Sequence, residues 1–135
     1  MVLDSSVALS WCFEDEHTRA GLAILEKVAE DGAVAPAIWP LEVLNGLLMA
    51  QRRNRLDAAQ RIRMTGLLKA LPVSIDADMA AQAWTETARL AERFRLTLYD
   101  AAYLELAARR ALPLASLDRS LRRAATALGT DLIET

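Results

Sequence analysis

The sequence of 135 residues predicts an α/β fold, a three-layer α/β/α sandwich in which helices cover both faces of a central parallel sheet. Short apolar or β-branched runs alternate along the chain with longer stretches of helical period. Parallel strands need long crossover connections, which are usually helical. No linker rich in Gly or Ser and no internal repeat divides the chain, so we expect a single domain over residues 1–135.

The predicted elements follow one another without long loops. Five short strands are expected at residues 2–3, 33–35, 72–75, 114–117 and 131–133. Seven helices are expected at residues 5–13, 18–30, 41–53, 58–71, 78–94, 99–111 and 119–128. Gly32 and Gly129 stand where helix C-caps are expected, and all four prolines fall at element boundaries. Periodicity and boundary residues therefore predict the same alternation.

The composition is that of a packed protein inside the cell. Hydrophobic residues make up 53% of the chain and charged residues 25%, which argues against disorder. No apolar run approaches the ~20 residues that span a bilayer. Cys12 is the only cysteine, so no disulfide can form within the chain. We expect a cytoplasmic protein with no membrane association.

Four acidic residues are predicted to meet at one edge of the sheet. Asp4 and Asp118 each follow a predicted strand, and Glu42 and Asp100 lie in first turns of helices. Helix capping explains any one of them, at about 1 kcal/mol. Capping cannot offset the repulsion of all four, since a pair of like charges at ~4 Å costs about 4 kcal/mol at a dielectric near 20. A hard cation, Mg²⁺ or Mn²⁺, would offset it, and the number of ions stays open.

The charge balance becomes compatible with nucleic acid once such a site is filled. The formal net charge is −2, from 16 basic and 18 acidic residues. If metal occupies the four carboxylates, 14 acidic residues remain against 16 basic ones, a balance of +2 among the remaining side chains. Arg93, Arg95 and Arg119 lie close in sequence to the acidic positions and are candidates for RNA contact, the alternative being a solvated surface.

The same residues resemble those of a known family. The segments that carry the likeness are residues 2–6 (VLDSS), 40–45 (PLEVLN), 99–107 (YDAAYLELA) and 114–118 (LASLD). Taken in order along nearly the whole chain, they resemble PIN domains, and more narrowly the VapC toxins of bacterial type II toxin–antitoxin pairs. Each segment alone would be a weak signal.

The resemblance implies a strand order of 3-2-1-4-5 and an endoribonuclease that cuts structured RNA, such as transfer or ribosomal RNA, with Mg²⁺ or Mn²⁺. Its catalytic and metal-binding positions are matched by four acids. These are Asp4, Glu42, Asp100 and Asp118. Its supporting polar positions are matched by Ser6, Asn45 and Ser116, where threonine is more usual at the last position.

The resemblance also implies a small VapB-like antitoxin that covers the toxin, and a toxin homodimer. Apolar stripes in residues 41–49 and 58–71 exceed what one small core needs, which fits a partner surface, although plain helix burial would explain each residue equally well. Trp11, Trp39 and Trp84 are expected in the core rather than as stacking platforms for RNA bases.

Two other enzyme classes are excluded by their own requirements. A haloacid-type phosphatase needs Asp-x-Asp after the first strand, and this chain has Asp4-Ser5-Ser6. A receiver domain needs paired acids near the first strand and a late lysine, whereas Lys27 and Lys69 are the only lysines. The alternative that stays open is a catalytically silent, PIN-like binding module that engages a protein or RNA.

Overall fold

Four parallel strands form the central sheet of the computed structural model, which describes residues 1–135. The strands are β1 (Val2–Leu3), β2 (Ala33–Pro36), β3 (Val73–Asp76) and β4 (Leu114–Ala115). Their order across the sheet is β3-β2-β1-β4, as predicted for the first four strands. The predicted fifth strand is reduced to a single parallel bridge between Leu114 and Leu132, which places the last segment beside β4.

Helices flank both faces of the sheet and confirm the predicted sandwich. They are α1 (Ser5–Ser10), α2 (Arg19–Asp31), α3 (Trp39–Arg52), α4 (Ala58–Ala70), α5 (Met79–Gln82), α6 (Ala88–Phe94), α7 (Leu98–Arg110) and α8 (Arg119–Leu128). Helix α7 contacts β1, β2 and β4 and is surrounded by α5, α6 and α8, whereas α1 packs against α2 and α3, and α3 packs against α4. None of the helices combines the length and apolar character that a bilayer-spanning segment requires.

Local signals fix the helix ends largely where the sequence predicts them. Gly32 and Gly129 end α2 and α8 with φ angles of 76° and 81°, a region that glycine adopts without strain. The side chain of Thr18 accepts the Gly21 N–H at the start of α2. Asp57 forms a reciprocal capping box at the start of α4.

Three predicted elements differ from the structure. The helix predicted over residues 5–13 ends at Ser10, and the chain turns to an extended conformation at Phe13, whose buried ring lies 4.0 Å from the Arg55 guanidinium carbon. The strand predicted over residues 114–117 ends at Ala115. The helix predicted over residues 78–94 is interrupted by a π-helical turn over Ala83–Thr87.

The prediction that all three tryptophans belong to the core is wrong for one of them. Trp39 is 6% exposed and Trp11 packs partly against the core. Trp84 lies in the π-helical turn and is 89% exposed. The sequence around it has helical period, but the wider turn rotates this residue away from the face that the period predicts.

Ion pairs link Asp76, at the end of β3, to two arginines of α7. The Asp76 carboxylate is 1% exposed and accepts hydrogen bonds from Arg109 and Arg110, each with a closest distance of 2.7 Å. Arg109 also pairs with Glu105 at 2.7 Å. Burial alone raises the pKa of Asp76, but the hydrogen bonds and charges of the two arginines outweigh this, so the pKa lies below its usual value.

Candidate active site

The neighbouring strands β1 and β4 bring two of the predicted acids, Asp4 and Asp118, to the same edge of the sheet. Asp4 directly follows β1, and its backbone N–H donates to the Ala115 carbonyl of β4 at 3.0 Å. Asp118 follows β4 and caps α8, because its Oδ1 accepts the Leu121 N–H at 2.7 Å. In a parallel sheet the carboxyl ends of adjacent strands lie side by side, so topology alone brings these residues together.

Asp4 is buried and held by hydroxyl groups. It is 4% exposed, and its Oδ2 accepts hydrogen bonds from Ser6 at 2.5 Å and Ser116 at 2.6 Å. The Ser5 hydroxyl lies 3.4 Å from Oδ1. Burial raises the pKa of Asp4, and the hydrogen bonds from Ser116 and Ser6 partly offset that rise. Two of the three predicted supporting residues therefore contact a predicted acid.

The hydroxyls of Ser6 and Ser116 also join the two strand ends. While donating to Asp4, the Ser6 oxygen accepts the Leu117 N–H at 3.0 Å. The Ser116 oxygen accepts the Asp118 N–H at the same distance. Each hydroxyl thus donates once and accepts once, which satisfies a polar group beside the buried carboxylate.

Glu42 enters the site from the first turn of α3, which begins at Trp39 and has Pro40 as its second residue. The hydroxyl of Tyr103, a fully buried residue of α7, donates to Glu42 Oε2. Burial raises the pKa of Glu42, the Tyr103 hydrogen bond lowers it, and the charge of Asp4 raises it again. The pKa of Tyr103 lies well above its usual value, mainly through burial and also through its contact with Glu42, so the phenol keeps its proton.

A close approach of α1 and α3 brings Asp4 and Glu42 near each other. Gly46 of α3 faces Leu9 of α1, and a Cβ atom at position 46 would lie 2.5 Å from Leu9 Cδ1. Only a residue without a side chain allows this spacing without moving Leu9. The close packing of α1 and α3 therefore helps to bring Asp4, at the start of α1, near Glu42, in the first turn of α3.

Asp100 lies in the first turn of α7, where Thr97 is the N-cap. Its backbone N–H donates to the Thr97 hydroxyl at 3.1 Å. Burial raises the pKa of the Asp100 carboxyl, the contact with Thr97 lowers it, and the charges of Asp118 and Asp4 raise it further. The Asp100 carboxyl therefore lies close enough to Asp118 and Asp4 for their charges to raise its pKa.

The four predicted acids occupy one electrostatically coupled group. The charges of Asp4 and Asp100 each raise the pKa of Glu42, and those of Asp4 and Asp118 raise the pKa of Asp100. None of the four takes part in an ion pair with Lys, Arg or His. As the side chains stand, no three acidic, His or Cys side chains are close enough together to hold a metal ion.

The donor set fits a hard divalent cation. All the candidate ligands are carboxylate oxygens, which Mg²⁺ and Mn²⁺ prefer over nitrogen or sulfur. Neighbouring carboxylates raise the pKa of Glu42 and of Asp100, and none of the four acids has a cationic partner, so a bound cation would supply the missing opposite charge. Glu42 and Asp100 are both half-buried, so a cation from solvent can reach their carboxylates.

The other predicted site residues have different surroundings. Asn45 is exposed and makes no side-chain hydrogen bond, so no contact in the structure supports its predicted role. Arg93, Arg95 and Arg119 are exposed and form no ion pair, with Arg119 directly after Asp118. The predicted RNA contacts of these arginines stay a prediction.

Sequence reasoning missed one residue of the site. Tyr103 lies one helical turn after Asp100 and would share its face of α7, so the spacing of three could have indicated it. Its partner Glu42 is 61 residues earlier in the chain, a pairing that spacing does not reveal.

An apolar surface lies on α3, α4 and β3. Leu41, Ile62 and Leu67 are 65%, 62% and 63% exposed, as the excess of apolar residues in these helices predicts. An apolar groove of about 340 Å³ lies between α3, α4 and β3. Its lining includes Trp39, Val43, Leu44, Leu68, Leu71 and Ile75.

Comparison with known proteins gives a family and two similar structures. The PIN domain model matches residues 1–127. The structure is similar to the crystal structure of PAE2754 from Pyrobaculum aerophilum, with a TM-score of 0.68, 23% identity, and coverage of 91% of this chain and 84% of that one. It is also similar to FitAcB from Neisseria gonorrhoeae, with a TM-score of 0.68, 15% identity, and coverage of 98% and 96%.

No curated protein sequence matches the chain. At these identities the two structures establish the fold, and the family rests on the domain match, which spans nearly the whole chain. PIN domains are typically metal-dependent nucleases. The order of the strands, the acids at their carboxyl ends and the domain match agree, and the chain belongs to the PIN-domain family.

Proposed function

We propose that residues 1–135 form one PIN domain that acts as a metal-dependent endoribonuclease, the VapC-type toxin of a toxin–antitoxin pair. In this proposal Asp4, Glu42, Asp100 and Asp118 hold Mg²⁺ or Mn²⁺. The substrate is a structured RNA such as transfer or ribosomal RNA. The observation that carries the proposal is the electrostatic coupling of four carboxylates with no cationic side chain among them.

The chain's own residues would orient the cation and the RNA. When bound, the divalent ion neutralises charge on the scissile phosphate and lowers the pKa of the attacking water. Ser6 and Ser116 keep Asp4 fixed and favour its charged form. Arg95 and Arg119 would contact RNA phosphates, which fix the position of the strand without reading its sequence.

The proposal is tested by removing single charges from the site. Asp4→Asn and Asp100→Asn should weaken Mn²⁺ binding in titration calorimetry. Both should reduce RNA cleavage more than about 100-fold, the upper limit usual for residues that only support a ligand. Asp31→Asn, which alters an exposed ion pair with Lys27, is the control and should cleave normally. Full cleavage by either site variant would refute the assignment.

We further propose that a VapB-like antitoxin covers the apolar surface of α3 and α4, and that the toxin forms a homodimer in the cytoplasm. Exposed apolar patches mark partner sites, and α3 and α4 expose Leu41, Ile62 and Leu67. An amphipathic segment of the antitoxin would lay its apolar side chains into the groove beside α4.

The toxin proposal predicts a phenotype. Expression of the chain alone should arrest bacterial growth, because uncontrolled cleavage of essential RNA stops translation. Growth should continue with the Asp4→Asn variant, expressed to the same level and checked by immunoblotting. Normal growth with abundant wild-type protein would count against a toxin while leaving the nuclease proposal to the cleavage assay.

A second candidate is a catalytically silent binding module, favoured by two observations. No three ligand side chains are close enough together to hold an ion as they stand, and Asp118 already caps α8. Such a module would bind RNA or a partner equally well with and without Mn²⁺ and would leave the RNA intact. The calorimetry and cleavage assays above separate the two functions.

A further inference from the structure

Tyr103 connects the two helices that contribute Glu42 and Asp100. It belongs to α7, one turn after Asp100, and its hydroxyl reaches across to Glu42 Oε2 at the start of α3. The Tyr103 side chain is fully buried and belongs to the hydrophobic core cluster. Its ring is therefore fixed by packing, and its hydroxyl is a donor at a fixed place.

Glu42 needs such a donor more than Asp4 and Asp118 do. Asp4 is buried and held by two serine hydroxyls, and Asp118 is held by a backbone N–H of α8. Glu42 is half-buried and has a longer side chain, so more rotamer freedom must be lost to hold its carboxylate in one place. Tyr103 forms the closest contact to that carboxylate, with the Ser5 hydroxyl also near it.

We propose that Tyr103 is a positioning residue whose hydroxyl holds the Glu42 carboxylate in the orientation in which it binds the cation beside Asp4 and Asp100. The inference rests on the proposed function, which makes Glu42 a ligand. The competing explanation is that a buried phenol merely satisfies its own hydrogen bond with the nearest acceptor. The two explanations differ in what happens to cation binding when the hydroxyl is removed.

Tyr103→Phe removes the hydroxyl and keeps the ring. Because Glu42 is half-buried, water can replace the lost donor, and we expect a folded variant whose circular dichroism matches the wild type. Mn²⁺ binding, measured by calorimetry without RNA, should weaken about tenfold or more, as for other residues that orient a metal ligand. The matched control is Tyr99→Phe on the same helix, which removes an exposed hydroxyl with no hydrogen bond and should change affinity less than about twofold.

A double-mutant cycle tests whether Tyr103 acts through Glu42. In the Glu42→Ala background the ligand is gone, so adding Tyr103→Phe should leave the weakened Mn²⁺ affinity unchanged. An equal loss in both backgrounds would show that the hydroxyl acts through the fold, and it would overturn the inference. Unchanged Mn²⁺ affinity in the Tyr103→Phe single variant would overturn it as well.

The same measurements keep this inference apart from the proposed function. Wild-type protein that binds Mn²⁺ but leaves RNA intact would refute the nuclease, while the cycle would still decide the role of Tyr103. Cleavage and Mn²⁺ binding that persist in Tyr103→Phe would refute only the positioning role. Wild-type protein that binds no Mn²⁺ would refute both.

Discussion

Asp4 shows how single side chains affect the pH range in which the site carries negative charge. Its burial raises the pKa of the carboxyl, and the hydroxyls of Ser116 and Ser6 lower it. A divalent cation binds the deprotonated carboxylate, so protons and the cation compete for this residue. The two hydroxyls therefore help to decide the lowest pH at which the site is charged.

Removal of the Ser116 hydroxyl should raise the lowest pH at which the site binds Mn²⁺. Ser116→Ala removes the hydrogen bond that lowers the pKa of Asp4 most, so this pKa rises and Mn²⁺ binding should begin at a higher pH than in the wild type. Calorimetric titrations at a series of pH values measure the shift. Ser116→Thr keeps a hydroxyl and should keep the wild-type profile, and an unshifted profile in Ser116→Ala would contradict this account.

At the scale of elements, the ion pairs between β3 and α7 join an outer strand to the helix that carries Asp100. Asp76 is almost inaccessible to solvent, whereas the side chains of Arg109 and Arg110 are 24% and 43% exposed. Loss of one partner of a fully buried pair costs about 3–5 kcal/mol, and the access of water to the guanidinium groups reduces that cost.

Asp76→Asn should therefore lower the free energy of unfolding by about 2–3 kcal/mol at pH 7. The folded-state pKa of Asp76 is depressed, so its contribution is present above the unfolded value near 3.9 and is lost as the pH falls through the folded value. Urea unfolding at neutral and acidic pH should show the two proteins converging in acid. Asp31→Asn, at an exposed ion pair, should change stability little, and a pH-independent deficit in Asp76→Asn would refute the mechanism.

The sequence predicts elements better than their ends. Apolar periodicity together with capping residues places α2 and α8 to within a residue, and the capping residues alone place α4 as closely. The early end of α1 depends on burial of Phe13 in the core, which is a tertiary contact. The π-helical turn that exposes Trp84 depends on a change of hydrogen-bond register that a helical period does not encode.

The acids of the site were predictable because strand ends and first turns of helices are marked in sequence. Their supporting contacts were predictable only in part. Ser6 is two residues from Asp4, and Ser116 directly follows β4, the strand next to β1, so chain position and topology explain both contacts. Asn45 shares a helical face with Glu42 but makes no contact, and Tyr103 meets Glu42 only through the packing of two helices.

For the whole molecule, net charge affects the proposed binding of RNA. The net charge is −2, so one bound divalent cation brings it to zero and two bring it to +2. We therefore expect RNA binding to strengthen when Mn²⁺ is added. Exposed arginines near the site would then contribute by releasing counterions from the RNA backbone.

The double variant Arg95→Ala/Arg119→Ala should bind RNA more weakly than its parent and with a smaller dependence on salt. The slope of log affinity against log salt should fall by about 0.7 for each single-strand phosphate that the variant no longer neutralises. The Asp100→Asn background, expected not to cleave, permits measurement by fluorescence anisotropy. Arg63→Ala on α4 is the control at another exposed arginine, and an equal effect there would show that only total charge matters.

The position of β1 between β2 and β4 has a consequence for synthesis on the ribosome. The first strand to emerge pairs with the last one, and Asp4 receives its Ser116 hydrogen bond only when that late residue is available. A nascent chain that stops before β4 leaves one side of β1 open and lacks Asp118. Translation must therefore pass β4 before all four acids can lie together, so a truncated chain that ends before this strand should not form the complete site.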